Sequence, residues 1–408
     1  MRTLDDLDVA GKTVLLRVDL NVPMQAGRVT DTTRIERILP TLQYLIKKKS
    51  RIVLLSHFDR PGGKFVPSMS LAPLVDAVSK ALHGKEVKFG VDCVGPAAKE
   101  AVDKLKDGEV LLLENLRFHA EEEKGGKEFA KQLAYLGDAY VNDAFSCSHR
   151  AHASITAITE FLPSAAGLLM QQEVGVLTEL FSTAKKPIGA VIGGSKVSTK
   201  LELLNHLIKT MDVIVIGGAM ANTFLCAKGY KVGKSLCEPK LNATALKILA
   251  AAAKNKCKIL LPIDFVVADA FAPQSPCKVV PADEIPDNRI AIDVGPDTVS
   301  EFAAALTTCK TVVWNGPLGA FETSPFDVGT VSLARTVAAL TAKKKIRSIG
   351  GGGDTVSAIS HSGLTESFSY VSTAGGAFLE WLEGKTLPGV AALMIKSASR
   401  RAGVKARR

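Results

Sequence analysis

Two short stretches, Val110-Leu111-Leu112-Leu113 and Val213-Ile214-Val215-Ile216, are apolar at every position. A strand with one face in water would alternate apolar and polar residues, so unbroken apolar runs indicate strands that are buried on both faces. Strands of this kind belong to parallel sheets with helices packed on both sides. The two stretches therefore predict an α/β fold with doubly wound parallel sheets.

Similar β-branched runs recur along the chain, and a stretch of helical periodicity follows each of them. They predict strands at Thr13–Asp19, Arg51–Ser56, Glu109–Asn115, Ala139–Asp143, Ile188–Gly193, Val213–Gly217, Lys258–Pro262, Thr311–Asn315, Ser348–Gly350 and Ser369–Ser372. A long amphipathic stretch, Leu168–Ala184, lies between the first four and the last six, and Pro187 would end a helix there. We predict two doubly wound parallel-sheet lobes joined by an inter-domain helix and a hinge, which the length of 408 residues also favours.

The composition excludes several classes of protein. The chain starts with charged residues rather than an apolar segment, so we expect no signal peptide. Its longest apolar-plus-glycine run, residues 213–221, is under half the length of a membrane span. The seven cysteines are scattered without C-x-x-C spacing, which argues against a zinc site or a disulfide framework and indicates a reducing compartment. We therefore expect a cytoplasmic protein that is not associated with a membrane.

The net charge of +10 does not by itself indicate a nucleic-acid partner. Residues 396–408 hold six Lys or Arg and no acid, and we interpret this basic tail as a solvated terminus. No helix-turn-helix, zinc-finger or RNP-like pattern accompanies it. A nucleic-acid-binding protein that uses the tail is the alternative, and salt-dependent binding that is lost on deleting the tail would reveal it.

Charged residues cluster where the predicted strands of the first half end. Ligands of parallel sheets bind beyond the carboxyl ends of the strands, so these side chains are expected at one edge. Several arginines at one edge repel each other unless they share a multiply charged anion. The alternative is a set of separate surface arginines paired with neighbouring acids. The residues of this predicted anion site are Asp19, Asn21, Arg34, His57, Arg60, Arg117 and Arg150.

Glycine-rich loops follow the strands of the second half instead. Glycine lets backbone N–H groups and helix N-termini approach phosphate oxygens closely. One Gly-Gly pair after a strand is ordinary turn chemistry, but several such loops in one lobe predict a nucleotide site. The loops are Gly193–Lys196, Gly217–Ala219, Asn315–Gly319, Gly350–Thr355 and Ser372–Gly376.

Three other motifs do not support a site. Gly229–Ser235 looks like a phosphate-binding P-loop, but it has three residues between its glycines where four are needed. No G-x-G-x-x-G opens either lobe, which argues against a dinucleotide-binding dehydrogenase. His149 and His152 lack a carboxylate or thiol partner at metal-ligand spacing, so we expect no metal there.

Read in order, the polar and glycine-rich segments resemble the phosphoglycerate kinase family. The resemblance extends from about residue 3 to Val390 and is specific, because many short blocks occur in the family's order and spacing. The blocks are Arg17–Pro23, Thr33–Ile35, Leu55–His57, Arg60-Pro61, Leu113–Phe118, Asn142–Phe145, His149–Ser154, Trp314–Pro317 and Gly351–Thr355.

The resemblance implies an N-terminal lobe, residues 1–167, that binds 3-phosphoglycerate or 1,3-bisphosphoglycerate through the seven residues of the anion site. It implies an inter-domain helix at 168–186 and a C-terminal lobe, residues 187–377, that binds Mg-ADP or Mg-ATP. Residues 378–395 would return to the N-terminal lobe ahead of the tail. The implied nucleotide-binding residues are Gly194, Ser195, Lys196, Lys200, Ala219, Asn315, Pro317, Glu322, Gly352, Gly353, Asp354 and Thr355, with Asp354 as the magnesium ligand.

The implied reaction is reversible in-line phosphoryl transfer between 1,3-bisphosphoglycerate and ADP, carried out by a monomer after hinge closure. The carboxylate of 3-phosphoglycerate is already ionised at pH 7, so no general base is needed. Catalysis then rests on positioning the reactants and neutralising charge. The implied catalytic residues are Arg34, Lys200, Gly352 and Gly375, the last at a helix N-terminus.

Five residues depart from those most common in the family: Asp59, Ser146, Ser195, Thr199 and Ala374. The Asp59 carboxylate, next to Arg60, could oppose an incoming phosphate, and Ala374 would be strained if that position needed a positive φ. These two residues support the alternative of a non-catalytic paralogue that binds nucleotide. Asp354 also has a structural alternative, as the N-cap of the helix that follows the glycine run.

Overall fold

The chain folds as two compact units in the computed structural model, which describes residues 1–394. Unit 1 contains Met1–Val174 and the segment from Thr386 onward, and unit 2 contains Gly175–Lys385. The basic tail at residues 396–408 lies outside the described residues.

Unit 1 is built on a parallel sheet. Its strands are β1 (Thr13–Arg17), β2 (Met24–Gln25), β3 (Arg28–Val29), β4 (Arg51–Leu55), β5 (Val87–Gly90), β6 (Val110–Leu113), β7 (Ala139–Asn142) and β8 (Ser164–Ala166). The parallel sheet has the order β5-β6-β4-β1-β7-β8, and β2 and β3 form a small antiparallel hairpin. Every residue of β1 and β6 is buried, as the unbroken apolar run in β6 predicts. The sequence pattern missed β5, β8 and the hairpin.

Helices pack on both faces of this sheet. They are α1 (Thr33–Lys47), α2 (Leu74–Ala81), α3 (Gly95–Asp103), α4 (Ala120–Glu123) and α5 (Lys127–Ala134). Val14 and Leu16 of β1 pack in one core cluster with α1 and α2, whereas Leu15 packs in another with α3 and α5. Successive strand residues point to opposite faces, so both faces of the sheet are covered. The predicted doubly wound architecture is confirmed.

Helix α6 (Leu168–Ser182) runs from unit 1 into unit 2, with the division between Val174 and Gly175. The carboxylate of Asp143, directly after β7, accepts a hydrogen bond from the Met170 N–H at 3.0 Å in the first turn of α6. The helix ends four residues before the predicted limit at residue 186. Lys186 precedes Pro187, and a residue before proline avoids the helical conformation.

Unit 2 contains a second parallel sheet and a smaller antiparallel one. Its strands are β9 (Ile188–Ile192), β10 (Val213–Ile216), β11 (Lys258–Leu260), β12 (Asp264–Ala268), β13 (Cys277–Pro281), β14 (Ile290–Val294), β15 (Thr311–Asn315), β16 (Arg347–Gly351) and β17 (Tyr370–Ser372). The parallel sheet has the order β11-β10-β9-β15-β16-β17, and β13-β12-β14 form the antiparallel sheet, which the sequence did not predict. In this parallel sheet, β10 and β11 lie on the outer side of β9, whereas β16 and β17 lie on the outer side of β15. The boundary between β9 and β15 is therefore the switch point of the sheet, where ligands of such sheets bind.

The helices of unit 2 are α7 (Leu201–Leu207), α8 (Ala219–Ala227), α9 (Asn242–Lys254), α10 (Pro296–Thr307), α11 (Val328–Ala342), α12 (Gly353–His361) and α13 (Gly375–Leu382). Phe378 of α13 packs against Gly351 at the end of β16, so α13 stays in unit 2. The return to unit 1 therefore begins at Thr386 rather than at residue 378. There α14 (Pro388–Ala391) binds unit 1 through the Gly389 N–H, which donates to the Ser148 carbonyl at 2.9 Å.

All seven cysteines are free thiols. Among residues 1–394, no helix has both the length and the apolar character that crossing a bilayer requires.

Candidate active site

The carboxylate of Asp19 organises the loop that follows β1. Its Oδ2 accepts hydrogen bonds from Arg34 Nη1 at 2.9 Å and from Ser146 Oγ at 2.5 Å, and its Oδ1 accepts one from the Asn21 N–H at 3.0 Å. Burial alone would raise the pKa of this carboxyl, but the charge of Arg34 and these hydrogen bonds hold the pKa below its usual value. Asp19 is therefore ionised at neutral pH, and it orients the Arg34 guanidinium.

His57 is buried beside an arginine that the sequence pattern did not single out. Its Nδ1 lies 3.2 Å from Arg17 Nη2. Burial, together with the charges of Arg17 and Arg117, lowers the pKa of His57 well below its usual value even though Asp19 opposes the shift. Arg17 can only donate, so Nδ1 accepts and the ring proton lies on Nε2. His57 is thus a neutral hydrogen-bond donor rather than a cation.

The backbone of Asp59 joins two of the predicted substrate residues. Its N–H donates to Asn21 Oδ1 at 3.0 Å, and its carbonyl accepts from Arg117 Nη1 at 2.7 Å. The residue has a φ of +52°, in the left-handed region that favours glycine. Glycine is also the usual residue at this position in the family that the sequence resembles. Asp59 itself is exposed. The backbone of Asp59, rather than its carboxylate, is therefore what builds this part of the site.

Arg150 and Arg60, the other two arginines of the predicted anion site, make fewer contacts within the protein. Arg150 donates from Nε to His149 Nε2 at 3.1 Å, and its charge interacts with that of Arg117. Arg60 is exposed, and within the described part of the chain its side chain makes no hydrogen bond. The structure thus links Asp19, Asn21 and Arg34 directly. It links Arg117 to them through Asp59, and it leaves the Arg60 side chain exposed.

A buried network lies beside these residues. Arg17, the last residue of β1, is fully buried and donates from Nε to Ser154 Oγ at 2.9 Å. The Ser154 hydroxyl in turn donates to Glu122 Oε1 at 2.6 Å, and its N–H donates to Oε2 at 2.9 Å. Burial raises the pKa of Glu122, although Arg17 and these hydrogen bonds act in the opposite direction. The arginine that follows the apolar run Val14–Leu16 is the sequence signal that could have revealed this network.

In unit 2, Asn315 at the end of β15 links Lys200 to the glycine-rich loop that follows β16. Lys200 Nζ donates to its Oδ1 at 2.5 Å and to its carbonyl at 3.2 Å. Its Nδ2 donates to the Gly351 carbonyl at 2.8 Å. Burial lowers the pKa of Lys200 from 10.5 to about 8, against the opposing charge of Asp354. Lys200 is therefore mostly charged at pH 7.

The backbones of two glycine loops touch at the switch point between β9 and β15. A Cβ at Gly193 would lie 1.8 Å from the Pro317 carbonyl oxygen, and Gly316 has a φ of +100°. A side chain would separate these loops or strain the turn. Gly194, Ser195 and Lys196 continue from Gly193, and Ala219 opens α8 after the next strand, so these four predicted nucleotide-binding residues lie on adjacent loops.

The N-terminus of α12 carries the predicted phosphate-binding residues. Gly352 is its N-cap with a φ of +99°, and Gly353, Asp354 and Thr355 form the first turn. Thr355 Oγ1 accepts the Gly316 N–H at 2.7 Å, which joins this turn to the β15 loop. Because Gly352 occupies the cap position, the alternative of Asp354 as N-cap is wrong.

Gly375 opens α13 beside this turn, and a Cβ there would lie 3.8 Å from the Gly353 nitrogen. Ala374 is the N-cap of α13 with a φ of −98°, so alanine is not strained. Glu322, another of the predicted nucleotide-binding residues, is exposed in the segment after β15.

One α/β unit thus presents oriented arginines at the carboxyl edge of its sheet, and the other presents glycine loops and a lysine at its switch point. This combination defines a phosphotransferase of the two-lobed α/β class that uses a nucleotide. The family model for phosphoglycerate kinase matches residues 4–385. The chain belongs to the phosphoglycerate kinase family, whose reaction is a step of glycolysis.

Curated relatives and solved structures agree with this assignment. The chain is 55% identical to the phosphoglycerate kinase of Granulibacter bethesdensis over 96% of its own length and 99% of that relative. It is 54% identical to that of Methylobacterium radiotolerans, over 97% and 99%. The solved structure of the Coxiella burnetii phosphoglycerate kinase matches with a TM-score of 0.86 at 41% identity, covering 96% of this chain and 98% of that one. The Pyrococcus horikoshii structure matches with a TM-score of 0.80 at 29% identity and the same coverage.

Proposed function

We propose that unit 1 binds 3-phosphoglycerate or 1,3-bisphosphoglycerate and that unit 2 binds ADP or ATP with magnesium. The chain then transfers a phosphoryl group reversibly from 1,3-bisphosphoglycerate to ADP. The observation that supports this assignment is the Asp19–Arg34 pair, because an ionised carboxylate holds a partly exposed guanidinium at the carboxyl edge of the sheet. An arginine fixed in this way can make two hydrogen bonds to a phosphate or a carboxylate.

In unit 1 the charge is supplied by Arg34, Arg60, Arg117 and Arg150. Neutral His57 adds a donor through Nε2, which can bind a carboxylate or phosphate oxygen without adding charge. Asn21 is positioned by its contacts with Arg34 and Asp59. Together these residues neutralise a substrate that carries several negative charges.

In unit 2 we assign Lys200 and the N-terminus of α12 to the nucleotide phosphates, with the α13 N-terminus at Gly375 beside them. Backbone N–H groups at both helix ends carry partial positive charge. Gly194, Ser195, Lys196, Ala219, Asn315, Pro317 and Glu322 would line the rest of the nucleotide site.

The residues present also fit a magnesium ion that is held together with the nucleotide. The Asp354 carboxylate is exposed at the α12 N-terminus, and among the described residues it makes no hydrogen bond that would compete with a metal. Mg²⁺ in such sites keeps several waters and takes one or two carboxylates plus phosphate oxygens. Bound magnesium would neutralise charge on the phosphates, while Asp354 would fix its position.

Because the acceptor carboxylate is ionised at pH 7, the chain supplies no proton in the transfer. Its residues orient the two reactants in line and offset charge on the phosphoryl group, with Arg34 and Lys200 as the contacts we assign to that group. These two residues belong to different units, so we propose that turnover requires hinge closure. We further propose a monomeric, cytoplasmic enzyme without a nucleic-acid or membrane partner.

The decisive test is ATP formation from 1,3-bisphosphoglycerate and Mg-ADP, followed by a coupled assay. An active chain also binds 3-phosphoglycerate and ADP independently in calorimetry, since the two sites lie in different units. A chain that binds both ligands without forming ATP would be the non-catalytic paralogue, and the proposal would fail.

A further inference from the structure

A charged cavity lies in unit 2, at the opposite edge of the parallel sheet from the glycine loops. It has a volume of about 1090 Å³ and opens at the amino ends of β9, β15 and β16. We call it the amino-edge cleft. Its cationic residues are Lys185, Lys186, Lys310, Lys344, Lys345 and Arg347.

The positive charge in the amino-edge cleft exceeds what the surrounding structure neutralises. Arg347 pairs with Glu179, the only carboxylate among the residues that line the cleft, and Lys186 lies 3.7 Å from Asp212. Helices α6, α10 and α11 end at this edge, and each C-terminus contributes about half a negative charge. Six cations against these groups leave an excess of about 2.5 positive charges.

The need to neutralise the negative C-termini of the three helices does not explain this excess of positive charge. One lysine per helix C-terminus would suffice for that purpose, yet Lys344 and Lys345 both follow α11, and Lys185 and Lys186 both follow α6. All four are exposed, and like charges held in one cleft repel each other unless they share an anion.

The residues that line the amino-edge cleft also indicate which class of ligand it can bind. It offers no Phe, Tyr or Trp ring on which a nucleic-acid base could stack. Hydroxyl groups of Thr183 and Ser369 add neutral donors beside the cations. The volume of the cleft suits a small molecule rather than a duplex.

We propose that the amino-edge cleft binds a small linear polyphosphate, a molecule with three or more linked phosphate groups. It is separate from the nucleotide site, because the two occupy opposite edges of the same parallel sheet. The linked phosphates bring enough negative charge to offset the excess in one binding event, which single phosphate does not.

The probe is inorganic tripolyphosphate, titrated into the full chain by calorimetry in magnesium-free buffer. ADP and 3-phosphoglycerate are present at saturating concentration so that the proposed substrate sites are occupied. Separate titrations of these two ligands show whether the proposed function holds, independently of the cleft. The expected result is one tripolyphosphate per chain, with affinity that falls as salt is raised.

The matched pair of variants removes three positive charges at two places in unit 2. Lys310→Gln, Lys344→Gln and Lys345→Gln together should weaken tripolyphosphate binding at least tenfold, whereas Lys240→Gln, Lys247→Gln and Lys254→Gln, also exposed, should change it less than twofold. The corresponding Lys→Arg cleft variant keeps the charge and should retain binding. Equal weakening in the cleft and control variants, or no binding of tripolyphosphate to the wild-type chain, would overturn the proposal.

Discussion

Lys200 makes the use of nucleotide dependent on pH in a direction that the structure determines. Its half-buried ammonium group donates to Asn315, and the loss of solvation lowers its pKa from 10.5 to about 8. A lysine binds phosphate only when it is protonated. The second-order rate constant for the nucleotide, kcat/KM, should therefore fall as pH rises through about 8, because this constant reports ionisations of the free enzyme.

The size of the effect follows from the pKa of about 8. At pH 7 about 91% of Lys200 carries its proton, and at pH 9 about 9% does, so kcat/KM for ADP should fall about tenfold over this interval. The ADP phosphates are already ionised at pH 7, so the titration belongs to the protein. The charge of Asp354 raises the pKa of Lys200, so Asp354→Asn should move the inflection to lower pH.

The assay is the rate of ATP formation at low Mg-ADP and saturating 1,3-bisphosphoglycerate, measured rapidly at each pH because the acyl phosphate hydrolyses. Lys200→Arg is the matched control, since a guanidinium stays charged across this range. Its residual activity should show no inflection near pH 8. A wild-type profile that stays flat to pH 9, or the same inflection in Lys200→Arg, would refute the role assigned to Lys200.

Four further outcomes test other parts of the site. Arg34→Ala should lower kcat by about 10²–10³-fold, or about 2.7–4 kcal/mol, while leaving ADP affinity within twofold in calorimetry; a near-normal kcat would remove Arg34 from catalysis. Asp354→Asn should raise the KM for Mg-ADP at least tenfold and weaken the magnesium dependence, with 3-phosphoglycerate affinity unchanged as the control. Asp59→Gly relieves the left-handed backbone and should raise the Tm by about 2–4 °C for about 1 kcal/mol, whereas a lower Tm in a thermal melt would show that the aspartate stabilises its turn. Deleting residues 396–408 lowers the formal charge from +10 to +4 and should keep kcat/KM within about threefold, or about 0.65 kcal/mol; a tenfold loss that persists at high salt would contradict a solvated tail.

The parallel sheets could be predicted from the sequence because strands that lie between two others in each sheet are covered on both faces. Val110–Leu113 and Val213–Ile216 have no polar position that would allow another arrangement. The antiparallel sheet of unit 2 carried no such signal. Its strand β13 is exposed at four of its five residues and ends in proline, so its pairing depends on β12 rather than on its own pattern.

The family also followed from the sequence alone, because the blocks at strand ends occur in the right order and spacing. The parallel topology then brings those strand ends to one edge of the sheet.

Tertiary structure decided which of these residues are charged and which backbone groups orient them. Ser146 donates to Asp19 from 127 positions away, and Arg17 reaches Glu122 through Ser154. In the sequence, Ser146 and Asp59 stood out only because they differ from the residues most common in the family. Folding makes the first a hydrogen-bond donor to the central carboxylate and the second a backbone link between Asn21 and Arg117, because hydrogen bonds depend on distance in space and not on separation along the chain.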